Sequence, residues 1–159
     1  MKDISEHLFD QGIAASSIDA LIAQMDELVR IANWYRRTRG SASESETIAY
    51  LVVPLLRTLG WTPQKMAVEW NKVDVALFDQ MPREDSHLVT TVEVKQIGYS
   101  CLSARSQAES YAEQKGRERC RRLIVTDGLR YGVYVREPGK KFPKNPQAYL
   151  NLTRMLDGT

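Results

Sequence analysis

The alternation of apolar and polar positions divides the chain into a helical first third and a strand-rich remainder. From Ser17, a predicted N-cap, Ile18, Leu21, Met25, Leu28, Ala32 and Tyr35 recur at spacings of three and four. Such a seam of about three heptads predicts a helix roughly 30 Å long, suited to packing on its own domain or to a dimerising coiled coil. RTRGSASES, residues 37–45, reads as a linker in which Gly40 stops the first helix. Ser43 and Glu46 form an S-x-x-E capping box for a second helix, predicted to end at Leu59–Gly60. Its apolar face is Ile48, Leu51, Val52, Leu55, Leu56 and Leu59, and Pro54 is expected to kink it.

Beyond Gly60 the period changes to two. KMAVEW (65–70) and VDVALF (73–78) read as strands joined by a tight turn at Asn71-Lys72. HLVTTVEVK is a third strand, ending before Gly98. Ser103 or Ser106 is expected to cap a helix running to about Gly116. RRLIVTDG, turning at Asp127-Gly128, and RYGVYV are two further strands, with a last one in AYLNLTR. The order of elements predicts an α/β fold with a mixed sheet flanked by helices. The chain divides on this reading into an N-terminal helical segment over 1–40 and a folded domain over 41–159.

Composition narrows the class without naming it. The 159 residues are 43% hydrophobic and 26% charged, as expected for a globular protein, and no apolar run would span a membrane. The N-terminal MKDISEHLFD does not read as a secretory signal. Cys101 and Cys120 form no CxxC pair and are expected to be free thiols in a cytoplasmic setting. Two histidines leave little room for His-based zinc chemistry. The net charge is only +2, but cations cluster at Arg36, Arg37 and Arg39, at Lys115, Arg117, Arg119, Arg121 and Arg122, and at Lys140, Lys141 and Lys144. Each cluster reads as a solvated face or as a surface for phosphates. Arg117, Arg119, Arg121 and Arg122 directly follow the helix predicted after the third strand, and with Lys115 at its end they are candidates for nucleic-acid contacts.

One strand breaks the apolar pattern. In TTVEVKQIG, residues 90–98, Val92 and Val94 face one way, so Glu93 and Lys95 stand together on the other face. Asp74 sits similarly between valines in VDVALF. Carboxylates in a partly buried place cost several kcal/mol unless paired. A salt bridge to Lys95 would offset part of that cost, and a bound Mg²⁺ or Mn²⁺ more. An Asp followed by Glu-x-Lys on a neighbouring strand is the arrangement of a metal-dependent phosphodiesterase: the carboxylates hold the metal and the lysine orients or deprotonates water, or stabilises charge on phosphorus. Acid-x-Lys alone is not specific, since Glu113-x-Lys115 repeats it within a helical pattern, and a structural ion pair is the plain alternative for Glu93 and Lys95.

Taken together, the motifs resemble the PD-(D/E)XK nuclease superfamily, more narrowly the N-terminal nuclease domain of type I restriction enzyme R (motor) subunits and related stand-alone proteins. The resemblance runs from about residue 44 to 135, over ETIAYLVVPLLRTLGW, KVDVALF, VEVK, QAESY and LIVTDGLRYGVY. Val73 stands where the family usually has proline. The resemblance implies Asp74 and Glu93 as metal ligands, Lys95 as the catalytic lysine, and Glu46 as a further metal-site or lysine-orienting residue, although Glu46 also suits a helix N-terminus. It implies Gln107 near the scissile phosphate, with Tyr111, one helical turn on, bound to DNA or shaping the site. The implied activity is Mg²⁺-dependent cleavage of DNA, leaving a 5′-phosphate and a 3′-hydroxyl, in prokaryotic restriction or defence. Rival readings are a non-cleaving nucleic-acid-binding module and an assembly part that cuts only with a motor or specificity subunit. Trp61 and Trp70 are expected in the core, and Asp127-Gly128 is expected to be a simple turn.

Overall fold

The computed structural model describes residues 4–38 and 42–155. Gly40 and Arg39 lie outside the described residues. Six strands form one sheet in sequence order: β1 (Met66–Trp70), β2 (Val73–Phe78), β3 (Leu88–Val94), β4 (Arg122–Thr126), β5 (Arg130–Val135) and β6 (Ala148–Asn151). Every neighbouring pair is antiparallel except β3 and β4, which run parallel and are joined by a crossover. Helices cover both faces, so the expected α/β architecture of a mixed sheet flanked by helices is present.

On one face lie α2 (Ala15–Thr38) and a second helical stretch made of α3 (Glu44–Thr47), a π-helical turn (Ile48–Val52) and α4 (Val53–Thr58). Val75, Leu77, Val92 and Val94 of the sheet pack there against Leu51, Val52 and Leu55, and against Leu28, Ala32 and Tyr35. The seam of α2 is thus occupied within the chain from Leu28 to Tyr35. A short helix, α1 (Ile4–Asp10), precedes it. On the other face α5 (Arg105–Ala112) lays Ala108 and Ala112 over Ala76, Phe78, Leu123, Val125 and Tyr134. Small residues on α5 let the helix approach the sheet closely. Trp61 and Trp70 are half-buried against the two cores, and Trp70 donates from Nε1 to Asp85 at 2.9 Å.

Local chemistry accounts for the departures from regularity. Asn71 and Lys72 both have positive φ, as a two-residue turn matching the twist of β1 and β2 requires. Ser43 caps α3 by accepting from the Glu46 N–H at 3.1 Å. Pro54 lacks an N–H and its ring crowds the carbonyl four residues back, and the turn before it widens so that Val53 N–H reaches the Ile48 carbonyl. Leu59 is exposed rather than on the apolar face, because the chain turns away at Gly60, whose φ is +96°. Helix α2 begins at Ala15, two residues before the predicted Ser17 cap, and α5 is preceded by a 3₁₀ turn (Cys101–Ala104) and has no side-chain cap. Ser103 donates instead to the Ser100 carbonyl, and the helix ends at Ala112 rather than Gly116. A bulge between Leu77 and Phe78 puts Leu88 into the α5 core although Val92 faces the other way. Both cysteines are buried and free. Among the described residues no helix is long and apolar enough to cross a membrane.

Asp127 and Gly128 link β4 to β5 and seat the turn against α3. Gly128 has φ +82°, and a Cβ there would lie 2.6 Å from the Thr47 methyl and 2.8 Å from Leu51 Cδ1. Gly128→Ala therefore combines left-handed strain with overpacking and is expected to lower stability by about 2–4 kcal/mol, read as a lower urea midpoint. An unchanged midpoint would show that the turn and α3 can part without cost.

Candidate active site

The sheet register brings acids together at one end of the sheet. Val75 pairs with Val92, which sets Asp74 opposite Glu93 across β2 and β3. Val68 pairs with Val75 and Trp70 with Val73, which sets Glu69 opposite Asp74 on β1. Like charges directly opposite on neighbouring strands repel. Glu69 has φ +56° and is exposed, so it relieves part of that repulsion by turning to solvent. Glu93 has no such route, being only 2% exposed on the face covered by α5.

A chain of hydrogen bonds crosses from β3 to α5. Lys95 Nζ donates to Glu93 Oε1 at 2.8 Å and to Gln107 Oε1 at 3.1 Å. Gln107 Nε2 donates to the Tyr111 hydroxyl at 3.2 Å. The backbone holds the centre of this chain: Lys95 N–H donates to the Thr126 carbonyl of β4 at 2.7 Å, and Val94 N–H donates to Asp74 Oδ2 at 2.7 Å. The structure thus groups Asp74, Glu93, Lys95, Gln107 and Tyr111, residues separated by up to 37 positions in sequence.

Electrostatics follow from this packing. Burial pushes the Asp74 carboxyl above its ordinary value, the Val94 N–H and Lys95 pull it down, and Glu44 and Glu69 push it up again. Burial likewise raises Glu93, opposed by the hydrogen bond from Lys95 and reinforced by the charges of Asp74 and Glu44. For Lys95 burial alone would lower the pKa, but the hydrogen bond to Glu93 and the charges of Glu93, Glu44 and Asp74 outweigh it, and the net shift is upward. The lysine is therefore protonated at neutral pH among carboxylates that are short of positive charge.

Glu46 is elsewhere. Its Oε1 accepts from the Tyr35 hydroxyl at 2.8 Å, tying α3 to α2, and burial with this bond raises the Tyr35 pKa to about 12. The acid of that helix whose charge bears on Asp74, Glu93 and Lys95 is Glu44. Sequence reasoning passed over both Glu44 and Glu69. Glu69 was within reach of it, because counting back from the Asn71-Lys72 turn pairs 69 with 74. Glu44 was not, since it differs from Glu46 only in the direction it faces at the start of α3.

The basic residues separate into unlike groups. Arg117, expected at a nucleic-acid surface, is buried at 1% exposure: Nη1 donates to the Tyr111 carbonyl at 2.8 Å and Nε lies 3.2 Å from Asp85. It is a structural cation under the end of α5. Lys115, beyond the same helix, is exposed. Arg119, paired with Asp79, and the exposed Arg121 and Arg122 lie toward the start of β4, at the opposite end of the strand from Lys95. Arg130, at the start of β5, grips the buried Asp127 with Nε at 3.1 Å and donates to the Tyr99 carbonyl at 3.1 Å. Asp127 also accepts from the Leu129 and Arg130 N–H groups, so it builds the turn expected at this position.

The donor set suits a hard divalent cation with a mostly aqueous shell. Among the described residues no group of three or more His, Cys, Asp and Glu side chains stands in ligating arrangement. Asp74 and Glu93 could together supply two carboxylates, each with one oxygen already used. Mg²⁺ is commonly held by one or two carboxylates plus water and phosphate oxygens, so two are sufficient.

Raised carboxylate pKa values also set a sign for stability. The folded form holds its protons to higher pH than the unfolded one, so these groups cost stability at neutral pH and the cost fades as pH falls toward the unfolded carboxylate range. Asp74→Asn keeps an acceptor for the Val94 N–H and is expected to melt higher than wild type at pH 7, with the gain shrinking near pH 4. Lys95→Ala leaves Glu93 buried without its donor and is expected to cost about 1–3 kcal/mol. Calorimetric melts across pH would contradict this picture if Asp74→Asn melted lower at pH 7.

No family model matches the chain, and no curated protein matches it. Among solved structures it is similar to a fragment of an HsdR subunit of a type I restriction enzyme from Vibrio vulnificus YJ016, at 17% identity and a TM-score of 0.47. The match covers 66% of this chain and 23% of that one.

Proposed function

We propose that this chain is a metal-dependent deoxyribonuclease that hydrolyses phosphodiester bonds of DNA at the Asp74–Glu93–Lys95 cluster. The observation that carries the reading is the lysine held between a buried carboxylate and an amide, Glu93–Lys95–Gln107, beside a second carboxylate facing it across the sheet. A purely structural ion pair does not account for Asp74, whose presence adds repulsion at this point.

The chain's own residues would act as follows. Asp74 and Glu93 would hold a divalent cation, Mg²⁺ or Mn²⁺, which when bound supplies charge neutralisation at the scissile phosphate and a more acidic water. Lys95, protonated at neutral pH, donates toward the attacking water or toward the oxygen on which charge develops at phosphorus. Gln107 fixes the Lys95 ammonium from the α5 side, and Tyr111 fixes Gln107 in turn. Val94, through its N–H on Asp74, keeps that carboxylate turned toward Glu93. The setting that fits this activity is prokaryotic restriction or defence, with a motor or specificity subunit as partner.

Supercoiled and linear plasmid incubated with Mg²⁺, Mn²⁺ or EDTA would test the proposal. Nicking or cutting is expected with either metal and not with EDTA, with a loss of at least about 100-fold in Lys95→Ala and Asp74→Ala, the order typical for removing one electrostatic group from a reacting centre. Cleavage that survives both substitutions would place the activity elsewhere. DNA binding with no cleavage by any variant would favour the binding-module reading.

A further inference from the structure

The cations at the far end of the sheet are arranged as a site in their own right. Thr90 pairs with Arg122 and Glu93 with Val125, so Arg122 lies about 10 Å along the strand from the register of the carboxylates at roughly 3.3 Å per residue. A cleft of about 470 Å³ opens there, walled by Arg119, Arg121, Arg122 and Arg136. A second cleft, of about 290 Å³, shares Arg121 and Arg136 with the first and carries the cationic wall on to Lys140 and Lys141.

The acids along this path are already engaged. Asp79 pairs with Arg119, Glu113 lies 3.6 Å from Arg136, and Glu137 pairs with Lys140 at 2.6 Å. Glu118 accepts from the Gly116 N–H at 3.1 Å. The Arg136 guanidinium is fixed by the Cys120 carbonyl at 2.9 Å and stacks 4.4 Å over the Phe142 ring. Arg121, Arg122 and Lys141 have no side-chain partner among the described residues. The two clefts together carry six cations, Arg119, Arg121, Arg122, Arg136, Lys140 and Lys141, against four acids, Asp79, Glu113, Glu118 and Glu137; that excess of positive charge favours an anion, and fixed neighbours lower the entropy lost in binding one.

We infer that this double cleft binds the phosphate backbone of nucleic acid at a distance from the carboxylate cluster. Two clefts joined through shared arginine walls fit a row of phosphates better than a single small anion. The inference deepens the nuclease reading by giving the polymer a second anchor, so that holding DNA and cutting it are tasks of different ends of the sheet. About 10 Å corresponds to about three base pairs of duplex at 3.4 Å each, so both ends would be engaged by one substrate of modest length.

The test is equilibrium binding of a labelled duplex of about 20 base pairs in EDTA over a series of salt concentrations, long enough to reach both ends. Each phosphate contact contributes about 0.9 to the slope of log affinity against log salt, so Arg121→Ala/Arg122→Ala is expected to lower that slope by about 2 and to weaken binding. Arg30→Ala/Arg154→Ala, which removes the same charge from exposed positions elsewhere, is expected to leave the slope unchanged. Thermal melts of both double variants should match wild type, since all four positions are exposed. An unchanged slope in the first double variant, an equal drop in both, or no DNA binding by wild type would overturn the inference. Because EDTA removes any cleavage, a slope change with no metal-dependent cutting would leave the cleft standing and defeat the nuclease reading alone.

Discussion

The placement of Asp74 opposite Glu93 is the constraint around which the rest of the sheet is organised. Two carboxylates on facing positions of neighbouring strands repel, and burial of Glu93 beneath α5 enlarges the cost by removing water. Only part is returned by Lys95 and by the Val94 N–H. The surplus must come from apolar packing, and the sheet is covered on both faces at this point. Val75, Val92 and Val94 lock β2 and β3 against the helices of one face, while Ala76 of β2 and Leu123 and Val125 of the neighbouring β4 pack against α5 on the other. Neither strand can slip by one residue without carrying its valines to the α5 face and its carboxylate into the opposite apolar core.

Elements distant from the acids serve the same arrangement. The parallel pairing of β3 with β4 forces a crossover, and that crossover is α5, which delivers Gln107 to the Lys95 ammonium. Arg117 pins the end of the helix from below through the Tyr111 carbonyl. The Asp127–Gly128 turn lies one residue beyond the carbonyl that accepts from Lys95 N–H, and the buried Asp127 is tied to Arg130 and to the Leu129 and Arg130 N–H groups. Two hydrogen bonds hold the Lys95 ammonium between Glu93 and Gln107, the preorganisation that the proposed electrostatic catalysis would require.

How much of this could be read in the sequence depended on how local the cause was. Strands β1 to β5 were legible because period-two alternation and the Asn71-Lys72 turn are local signals. The pairing of Glu93 with Lys95 followed from i, i+2 geometry alone, and the Gln107–Tyr111 contact from i, i+4. Other features depended on tertiary placement. Arg117 and Arg119 look alike in a string of basic residues, yet one is buried under α5 and the other lies 46% exposed at the far strand end. Glu44 and Glu46 are likewise two acids of one helical turn, separated only by which way that turn faces once Tyr35 has claimed Glu46. The bulge that turns Leu88 toward α5 has no local signature at all.

In the proposed function, a divalent cation would relieve the cost at which this pair of carboxylates is held in the free chain. Paramagnetic broadening of backbone amide resonances by trace Mn²⁺ tests that most directly. Broadening centred on Asp74, Val94 and Lys95, weakened in Asp74→Asn and reversed by excess Mg²⁺, is the predicted result. Broadening centred elsewhere, or the same in wild type and Asp74→Asn, would contradict the claim and leave the cluster a structural ion pair.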